Sequence, residues 1–220
     1  MRKRLVIIGA GGNVYDLLDT VEAINKSVPT WEIIGILDDR REVGTDHLGI
    51  PILGPLPEAP KISDCSFVSS IWNENVSCVL HEILGRTELN ASDFATIIHP
   101  TVSVSPRAHL ATSVVIHQAA SIAGNVKIGE FVSIGPGCII GHDTIITGFT
   151  AVAAGAIISG SVRVGSNCYI GSGSIIRQNI EIGNGAVIGM GAVVVDDVAP
   201  NSVVVGNPAR LLPRITYPNN

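Results

Sequence analysis

The stretch GAIISGSVRVGSNCYIGSGSII, residues 155–176, decides the fold of this chain. A branched aliphatic residue stands at every sixth position, at Ile158, Val164, Ile170 and Ile176. A helix returns to the same face every three or four residues and a strand every second residue, so neither element alone gives a period of six. A chain that turns its apolar side inward once in six residues, with glycine easing the turns, is typical of a parallel β-helix.

The period of six extends far to both sides of this stretch. If each hexad forms one side of a triangular prism, three hexads make one coil, and residues eighteen apart stack at a spacing of about 4.8 Å. Small or β-branched residues stand two positions before the repeated one, as at Val126 and Cys138. The seventeen repeated positions are Ile98, Val104, Leu110, Ile116, Ile122, Ile128, Ile134, Ile140, Ile146, Val152, Ile158, Val164, Ile170, Ile176, Ile182, Ile188 and Val194.

The first part of the chain has a different spacing of apolar residues. Strand-like RLVIIG (4–9), helix-like NVYDLLDTVEAINK (13–26) and strand-like WEIIGILDD (31–39) follow one another, and CSFVSSI (65–71) and SCVLHEILGR (77–86) continue the alternation. This pattern predicts βαβ units in a small parallel, Rossmann-like sheet. We therefore expect an α/β domain at residues 1–92 and an all-β helix at 93–212, each with its own core, and a polar tail at 213–220.

The segment DDVAPNSVVVGNPARLL, residues 196–212, follows the last repeated position. Proline lacks the N–H that a ladder requires, so we expect Pro200 to stop the pairing of coils at this point.

Composition excludes several classes of partner. The 14 Lys and Arg residues against 19 Asp and Glu give a net charge of −5, which offers no basic surface for nucleic acid and no polybasic membrane anchor. The opening MRKRLVIIGAGG has an apolar run that ends in glycines rather than in a cleavage site, so we expect a cytoplasmic protein. The cysteines, Cys65, Cys78, Cys138 and Cys168, have no CxxC spacing and are expected to be small apolar filler.

One segment inside the repeat carries reactive side chains. In GPGCIIGHDTIITG, residues 135–148, His142 and Asp143 are adjacent. Imidazole beside a carboxylate can transfer a proton near neutral pH, although a solvated corner is the ordinary alternative. Gly160 follows His142 by eighteen residues and is therefore expected one coil further on, where its amide could stabilise an oxyanion. A glycine needed only for its backbone angles is the alternative there.

The N-terminal half offers a second candidate site. Gly9, Gly11 and Gly12 form a loop before the first helix, where backbone amides can hold a phosphate, although a tight turn is an equal alternative. Asp38 and Asp39 end the second strand and could accept hydrogen bonds from a nucleotide, or could be solvated strand ends.

With these motifs the chain resembles the hexapeptide-repeat acyltransferases, and within them the sialic-acid O-acetyltransferase and UDP-bacillosamine N-acetyltransferase family. The resemblance is carried by IIGAGG (7–12), GILDD (35–39), TIIHPTVSVSP (96–106), the His-Asp pair and VVVGNPAR (203–210). It implies a left-handed β-helix, a homotrimer, and a Rossmann-like sugar-nucleotide domain. It also implies acetyl-CoA as co-substrate without a metal, a nucleotide-linked amino sugar as acceptor, and a place in cell-surface polysaccharide biosynthesis.

The resemblance also implies roles for single residues. The histidine that matches His142 is the general base, Asp143 orients it, and the Gly160 amide is the oxyanion donor and lies beside the cofactor. The backbone of Ser172 and Met190 is expected to contact acetyl-CoA, since these two residues are also eighteen apart. The residues expected to bind the acceptor are Gly11, Gly12, Asn13, Asp38, Asp39 and Asn73.

Three departures from the family pattern concern the acceptor. Asn13 and Ala151 stand where family members commonly carry histidine, and the segment IWNENVS, with Trp72 and Ser77, replaces a turn that usually contains glycine and then arginine. Acetyl transfer to an amino group is the function that the sequence favours. Transfer to a sugar hydroxyl is the alternative, and an inactive trimeric scaffold is the alternative of another class.

Two further histidines could belong to a metal site. His99 and His117 are eighteen apart and could stack, as two of the three histidine ligands of a γ-type carbonic anhydrase would. No third histidine stands at a suitable neighbouring position, so this reading is disfavoured. The sequence does not name the acceptor sugar or the length of the acyl chain.

Overall fold

The computed structural model describes residues 2–73 and 80–212. Ser77, Cys78 and the tail at 213–220 lie outside the described residues. The chain begins with an α/β domain and continues as a β-helix. The alternating strand and helix pattern predicts the first, and the period of six predicts the second. In the described residues, none of the helices is long and apolar enough to span a bilayer.

The α/β domain is built on a five-stranded sheet with the order β3-β4-β2-β1-β5. Its central strand β1 is parallel to β2 and β5, and β3 joins β4 as an antiparallel edge. Its elements are β1 (Lys3–Ile8), α1 (Val14–Ser27), β2 (Trp31–Leu37), β3 (Asp46–His47), β4 (Ile50–Gly54), β5 (Ser66–Ser69) and α2 (Leu80–Gly85), with 3-10 turns at Leu56–Lys61 and Ala91–Asp93.

Burial explains why these segments form the domain. Leu5, Val6, Ile7 and Ile8 of β1 are fully buried, which is typical of a central parallel strand covered on both faces. The apolar face of α1 packs on one side of the sheet, and the expected βαβ unit is confirmed.

The β-helix consists of short strands, and each ends at a position of the period-six series. They are β6 (Ile97–Ile98), β7 (Ser103–Val104), β8 (His109–Leu110), β9 (Val115–Ile116), β10 (Ser121–Ile122), β11 (Lys127–Ile128), β12 (Ser133–Ile134), β13 (Ile139–Ile140), β14 (Ile145–Ile146), β15 (Ala151–Val152), β16 (Ile157–Ile158), β17 (Arg163–Val164), β18 (Tyr169–Ile170), β19 (Ile175–Ile176), β20 (Glu181–Ile182), β21 (Val187–Ile188) and β22 (Val193–Val194).

Strands of successive coils pair in parallel, so that three sheets enclose one core. Ile140 lies between Ile122 and Ile158 in the ladder, which confirms the stacking of residues eighteen apart. The repeated aliphatics point inward, and the smaller residues two positions before them fill the corners of the core. We name the sheets by strand: sheet A contains β6, β9, β12, β15, β18 and β21, sheet B contains β7, β10, β13, β16, β19 and β22, and sheet C contains β8, β11, β14, β17 and β20.

The expectation that Pro200 ends the ladder is wrong. Val198 bridges Ile182, and β23 (Val203–Val205) pairs in parallel with β21 before β24 (Arg210–Leu211) closes the sheet in antiparallel fashion. Pro200 sits at a corner, where the hydrogen bonds to the coil below come from Val198 N and Asn201 N. A missing N–H at a corner therefore costs no ladder bond.

Apolar side chains also join the β-helix to the α/β domain. The β-helix has its own interior, but Ile97 and Val115 pack outward into the cluster beneath α1. Phe131 joins the cluster on the other face of the α/β sheet, where its ring lies 4.9 Å from that of Phe94 and 5.0 Å from that of Phe149. The hydrophobic pattern of the sequence changes at the junction between the α/β domain and the β-helix. Apolar contacts nevertheless continue across that junction.

Candidate active site

His142 and Asp143 occupy a corner that follows β13, on the outside of the β-helix. The Nδ1 atom of His142 lies 2.7 Å from Asp143 Oδ2, and Asn125 Nδ2 donates to Asp143 Oδ1 at 2.6 Å. The hydrogen bond from Asn125 and then that from His142 hold the pKa of Asp143 below its usual value. A carboxylate cannot donate, so the Nδ1–H of a neutral His142 points to Asp143 and leaves Nε2 as a proton acceptor.

The backbone of the coil explains this orientation. Asp143 has a φ of 60°, and Asn125, in the same place one coil earlier, has a φ of 59°. Asn and Asp tolerate this left-handed conformation better than most residues. The corner therefore places both short polar side chains one above the other, where they meet.

Gly160 lies directly against the imidazole of His142. A Cβ atom on Gly160 would come within 2.7 Å of His142 Nε2 and 2.8 Å of Cε1, so only glycine fits without moving the ring. The Gly160 amide donates no hydrogen bond to any residue of 2–73 or 80–212. The position thus combines a proton acceptor with an unused amide in adjacent coils.

Ser172 and Met190 lie elsewhere on the β-helix. They follow β18 and β21 of sheet A, whereas His142 and Gly160 follow β13 and β16 of sheet B. They do stack on one another, but on a different corner of the prism from the base. The two pairs of residues lie on different corners because the spacing between one pair and the other is not a multiple of eighteen.

A cavity of about 630 Å³ lies at the carboxyl ends of the strands in the α/β domain. This is the usual place for a ligand in an open parallel sheet. All six residues expected to bind the acceptor line it, namely Gly11, Gly12, Asn13, Asp38, Asp39 and Asn73.

Two of these side chains are already bound to the protein. Asp38 accepts hydrogen bonds from the amides of Ala10 and Arg40, and Asp39 accepts one from the amide of Leu56 and pairs with Arg86 at 2.6 Å. The carboxylates thus fix the loops that shape the cavity. A strand-end Asp-Asp sequence indicates a site, but it does not reveal that these acceptors are already occupied.

The side-chain amide of Asn13 is also hydrogen-bonded within the protein. Asn13 Nδ2 donates to the backbone oxygens of Ser70 and Trp72, at 3.2 and 2.7 Å, and ties the start of α1 to the end of β5. Arg40 and Arg86 line the same cavity and were missed by the sequence reasoning. No motif marks them, because they reach the site from separate loops.

A smaller cavity, of about 200 Å³, lies between the α/β domain and the β-helix. Asn13 and Trp72 line both cavities, so the two spaces are neighbours on either side of these residues. Ser172, Ala151 and the buried His117 complete the wall of the smaller cavity on the side of the β-helix. Two of the three departures from the family pattern, at Asn13 and Trp72, thus meet the third, Ala151, in one space.

The two histidines considered as metal ligands have other partners. His99 Nδ1 lies 2.8 Å from Thr101 Oγ1, and His117 Nδ1 lies 3.0 Å from Thr20 Oγ1. In the described part of the chain, no group of three or more His, Cys, Asp or Glu side chains is arranged to hold a metal ion.

Two family models match the sequence. The PglD N-terminal domain matches residues 4–76, and the bacterial transferase hexapeptide (six repeats) matches residues 161–196. No curated protein matches the chain.

Three solved structures are similar to nearly the whole chain. The acetyltransferase domain of PglB from Neisseria gonorrhoeae FA1090, in complex with acetyl coenzyme A, is 27% identical, with a TM-score of 0.83 and coverage of 96% of this chain and 100% of that one. A mutant of perosamine N-acetyltransferase from Caulobacter crescentus, in complex with CoA and GDP-perosamine, is 25% identical, with a TM-score of 0.81 and coverage of 96% and 97%.

WeeI from Acinetobacter baumannii AYE is 26% identical, with a TM-score of 0.79 and coverage of 94% of this chain and 99% of that one. The two family models and these full-length likenesses agree with the fold and with the order of motifs. The resemblance to the hexapeptide-repeat acyltransferases is thus confirmed, with a match to the PglD N-terminal domain followed by a match to the hexapeptide repeats.

Proposed function

We propose that this protein transfers the acetyl group of acetyl-CoA to an amino group of a nucleotide-linked sugar. The observation that carries the proposal is the His142 corner, where an imidazole with an accepting Nε2 lies against the unused amide of Gly160. The proteins of similar structure from Neisseria gonorrhoeae and Caulobacter crescentus are named as acetyltransferases and hold acetyl-CoA or CoA.

The chemistry follows from the placement of these groups. The acceptor nitrogen attacks the thioester carbonyl carbon, and His142 Nε2 takes the proton that the nitrogen loses as the C–N bond forms. The Gly160 N–H stabilises the oxyanion of the tetrahedral intermediate. Collapse of that intermediate breaks the C–S bond, and the proton returns from the imidazolium to the thiolate of CoA. Asp143 orients the ring and stabilises the imidazolium.

Acetyl-CoA is a co-substrate, and the chain offers a track for it along the corner that follows sheet A. The amides of Ser172 and Met190 donate no hydrogen bonds within residues 2–73 and 80–212, so both are available to a ligand. Met190 is 82% exposed. No metal takes part in this mechanism.

The larger cavity is suited to the nucleotide. Its volume falls in the range of roughly 300–1,000 Å³ that small-molecule sites occupy. The amides of Gly11 and Gly12 precede the N-terminus of α1, which favours a phosphate. Arg40 and Arg86 also line the cavity, where their charges balance those of Asp38 and Asp39, so the loop amides are the groups that favour a phosphate.

The separation of the two corners implies that one active site uses two copies of the chain. The larger cavity and Ser172 lie on the side of sheet A, whereas His142 follows sheet B. A homotrimer in which the corner of one β-helix faces the groove of the next brings them together.

The outer face of sheet B fits this arrangement. Ile139 and Ile175 project from it with exposures of 48% and 42%, in the same ladder as Ile157. The α/β domain covers sheet A, and Lys127, Arg163 and Glu181 lie on the outside of sheet C. Sheet B is therefore the apolar face that remains for a second copy.

We also assign the protein to the cytoplasm. Cys65, Cys138 and Cys168 are free thiols, which fits a reducing compartment. Burial raises the pKa of Cys138 and Cys168 to about 11, so neither serves as a nucleophile.

Thiol release from acetyl-CoA tests the proposed function. Nucleotide-linked amino sugars, including GDP-perosamine, are the first panel, and free sialic acids are the second. Acetylation of an amino sugar at nitrogen supports the proposal. Transfer only to a sugar hydroxyl supports the O-acetyltransferase instead, and absence of thiol release with every acceptor, despite acetyl-CoA binding, supports the scaffold.

Mixed oligomers test the shared active site. We expect His142→Ala and Arg86→Glu proteins each to be impaired, and co-expressed mixtures to regain activity, since one copy then supplies the base and another the nucleotide cavity. Mixtures that stay as inactive as the separate variants, or a monomer in light scattering, would contradict the shared site.

A further inference from the structure

The small cavity beneath α1 contains a buried histidine that the proposed mechanism does not use. His117 is 6% exposed and follows β9 at the edge of sheet A. His117 lines the cavity of about 200 Å³, together with Asn13, Trp72 and Ser172. The cavity is too small for a nucleotide, since sites for whole ligands are larger, but it has room for one ring.

The hydrogen bonds of His117 fix which ring nitrogen carries the proton. Thr20 Oγ1 donates to the backbone oxygen of Asp16 at 2.8 Å, so its single hydrogen is used within α1. The same oxygen, 3.0 Å from His117 Nδ1, therefore accepts the Nδ1–H. Burial lowers the pKa of His117, with Asp16 opposing the shift, and the ring is neutral.

A neutral ring protonated at Nδ1 presents a lone pair at Nε2. No hydrogen bond to Nε2 comes from the described residues, 2–73 and 80–212. A buried acceptor at the wall of a cavity is costly to leave unpaired when a ligand displaces water, so it selects ligands that carry a donor at that point.

The position of the cavity identifies the part of the ligand that enters it. Asn13 and Trp72 line both cavities, so a group attached to a nucleotide in the larger one reaches the smaller one past these side chains. Ser172, on the acetyl-CoA track, lines the far side. A sugar ring in this space would lie between its nucleotide and the acetyl donor.

We propose that the small cavity holds the sugar ring of the acceptor and that His117 Nε2 accepts a hydrogen bond from a hydroxyl or amino group of that ring. This inference rests on the proposed function, because it assumes a nucleotide-linked sugar in the larger cavity. His117 then determines which sugar is accepted, and Thr20 is a positioning residue that holds the imidazole in the required tautomer.

Calorimetry without acetyl-CoA separates the sugar from the nucleotide. The full-length protein is titrated with GDP-perosamine and GDP, and likewise with UDP- and dTDP-linked amino sugars and their free nucleotides. We expect at least one sugar nucleotide to bind more tightly than its nucleotide. In His117→Leu that sugar should bind about 3- to 10-fold more weakly, while the affinity for the free nucleotide is unchanged.

His117→Gln is the matched variant, because it keeps an accepting oxygen but loses the imidazole. It should retain more of the sugar-dependent affinity than His117→Leu, and the melting temperature of each variant reports any loss of packing. Equal losses in both variants, a loss of nucleotide affinity as well, or a fall in turnover alone would overturn the inference.

A wild-type protein that binds no sugar nucleotide better than its nucleotide would also overturn it. Thiol release in the same samples reports separately on the proposed function. Acetyl transfer with an unaltered sugar contribution in His117→Leu leaves the proposed function standing and removes only the role of His117.

Discussion

His142 lies on an open corner of the β-helix, whereas His117 lies between the same β-helix and α1. The first has a carboxylate at Nδ1 and 71% of its side chain exposed, and the second has a hydroxyl at Nδ1 and is almost fully buried. An imidazole beside a carboxylate and water can become charged during a reaction. A buried imidazole beside a hydroxyl resists protonation and is better suited to accept a hydrogen bond.

The surroundings of a histidine, rather than the residue type, therefore decide whether it acts as a base or as a binding group. Both rings offer Nε2 as an acceptor. Asp143 lies in hydrogen-bond contact with His142 and can stabilise its imidazolium, whereas at His117 burial outweighs the opposing effect of Asp16 on the pKa.

His142→Ala is the strongest test of the different roles that we assign to His142 and His117. We expect turnover to fall by roughly 10²- to 10⁴-fold, because the general base is lost. Melting temperature and acetyl-CoA affinity should stay near the wild-type values, since an exposed corner residue packs little. Steady-state kinetics, thermal unfolding and calorimetry on the same preparation check all three, and an unchanged turnover would remove His142 from the mechanism.

Gly160→Ala tests the geometry of the same corner. The added Cβ would lie within 2.7 Å of His142 Nε2, so the imidazole must move. We expect turnover to fall about 100-fold, since displacing a catalytic group by about an ångström can cost this much. Gly137→Ala, at a corner without neighbours near its Cβ, is a control for the cost of removing a glycine, although its φ of 68° adds strain of its own. Equal effects of both changes on turnover would contradict a specific contact with His142.

Asp143→Asn should have a smaller effect than either change, about one order of magnitude in turnover, if Asp143 only orients and stabilises the ring. The pKa of Asp143 is already lowered, so the carboxylate stays ionised through the neutral range. Protonation of Asp143 should therefore not account for any change in the wild-type rate across the neutral range. A pH–rate profile of both proteins checks this, and a variant as slow as His142→Ala would assign Asp143 a direct catalytic role.

The smallest expected effect concerns stability at the buried histidine. The folded-state pKa of His117 is lowered, so between that pKa and the ordinary value near 6.5 the unfolded chain binds more protons than the folded one. Stability contributed by the neutral ring is thus present at higher pH and decreases as pH falls through this window. Asp16 and His99 are the titratable groups that act on it.

Thermal unfolding between pH 8 and pH 5 measures this contribution. Wild type should lose about 1–3 °C more than His117→Gln over the range, since the variant lacks the titrating ring. Identical pH dependence in the two proteins would mean that His117 is not held neutral by burial.

Much of the fold is predictable because each rule involved is local. The period of six places Ile140 and Ile158 inside a coil, and the helical spacing of Val14, Leu17 and Val21 places α1 on its sheet. Pro200 was misjudged because the sequence pattern does not separate a corner from a ladder position once the period has ended. Arg86 was missed because its partner, Asp39, is distant in the sequence and reaches it only in the folded domain.

The β-helix, the eighteen-residue coil, the adjacency of His142 and Gly160, and the presence of Gly11, Gly12, Asp38 and Asp39 at the larger cavity could all be predicted from the sequence. These features follow from the period of six and from positions at strand ends. Both can be recognised in the sequence without knowing which distant segments are in contact. Only the tertiary structure showed that Asp38 and Asp39 are already bonded, and that His117 is buried under α1 with Nε2 free of described partners. Burial and hydrogen bonding depend on segments that are far apart in the chain, and those contacts decide whether a side chain is available to a ligand.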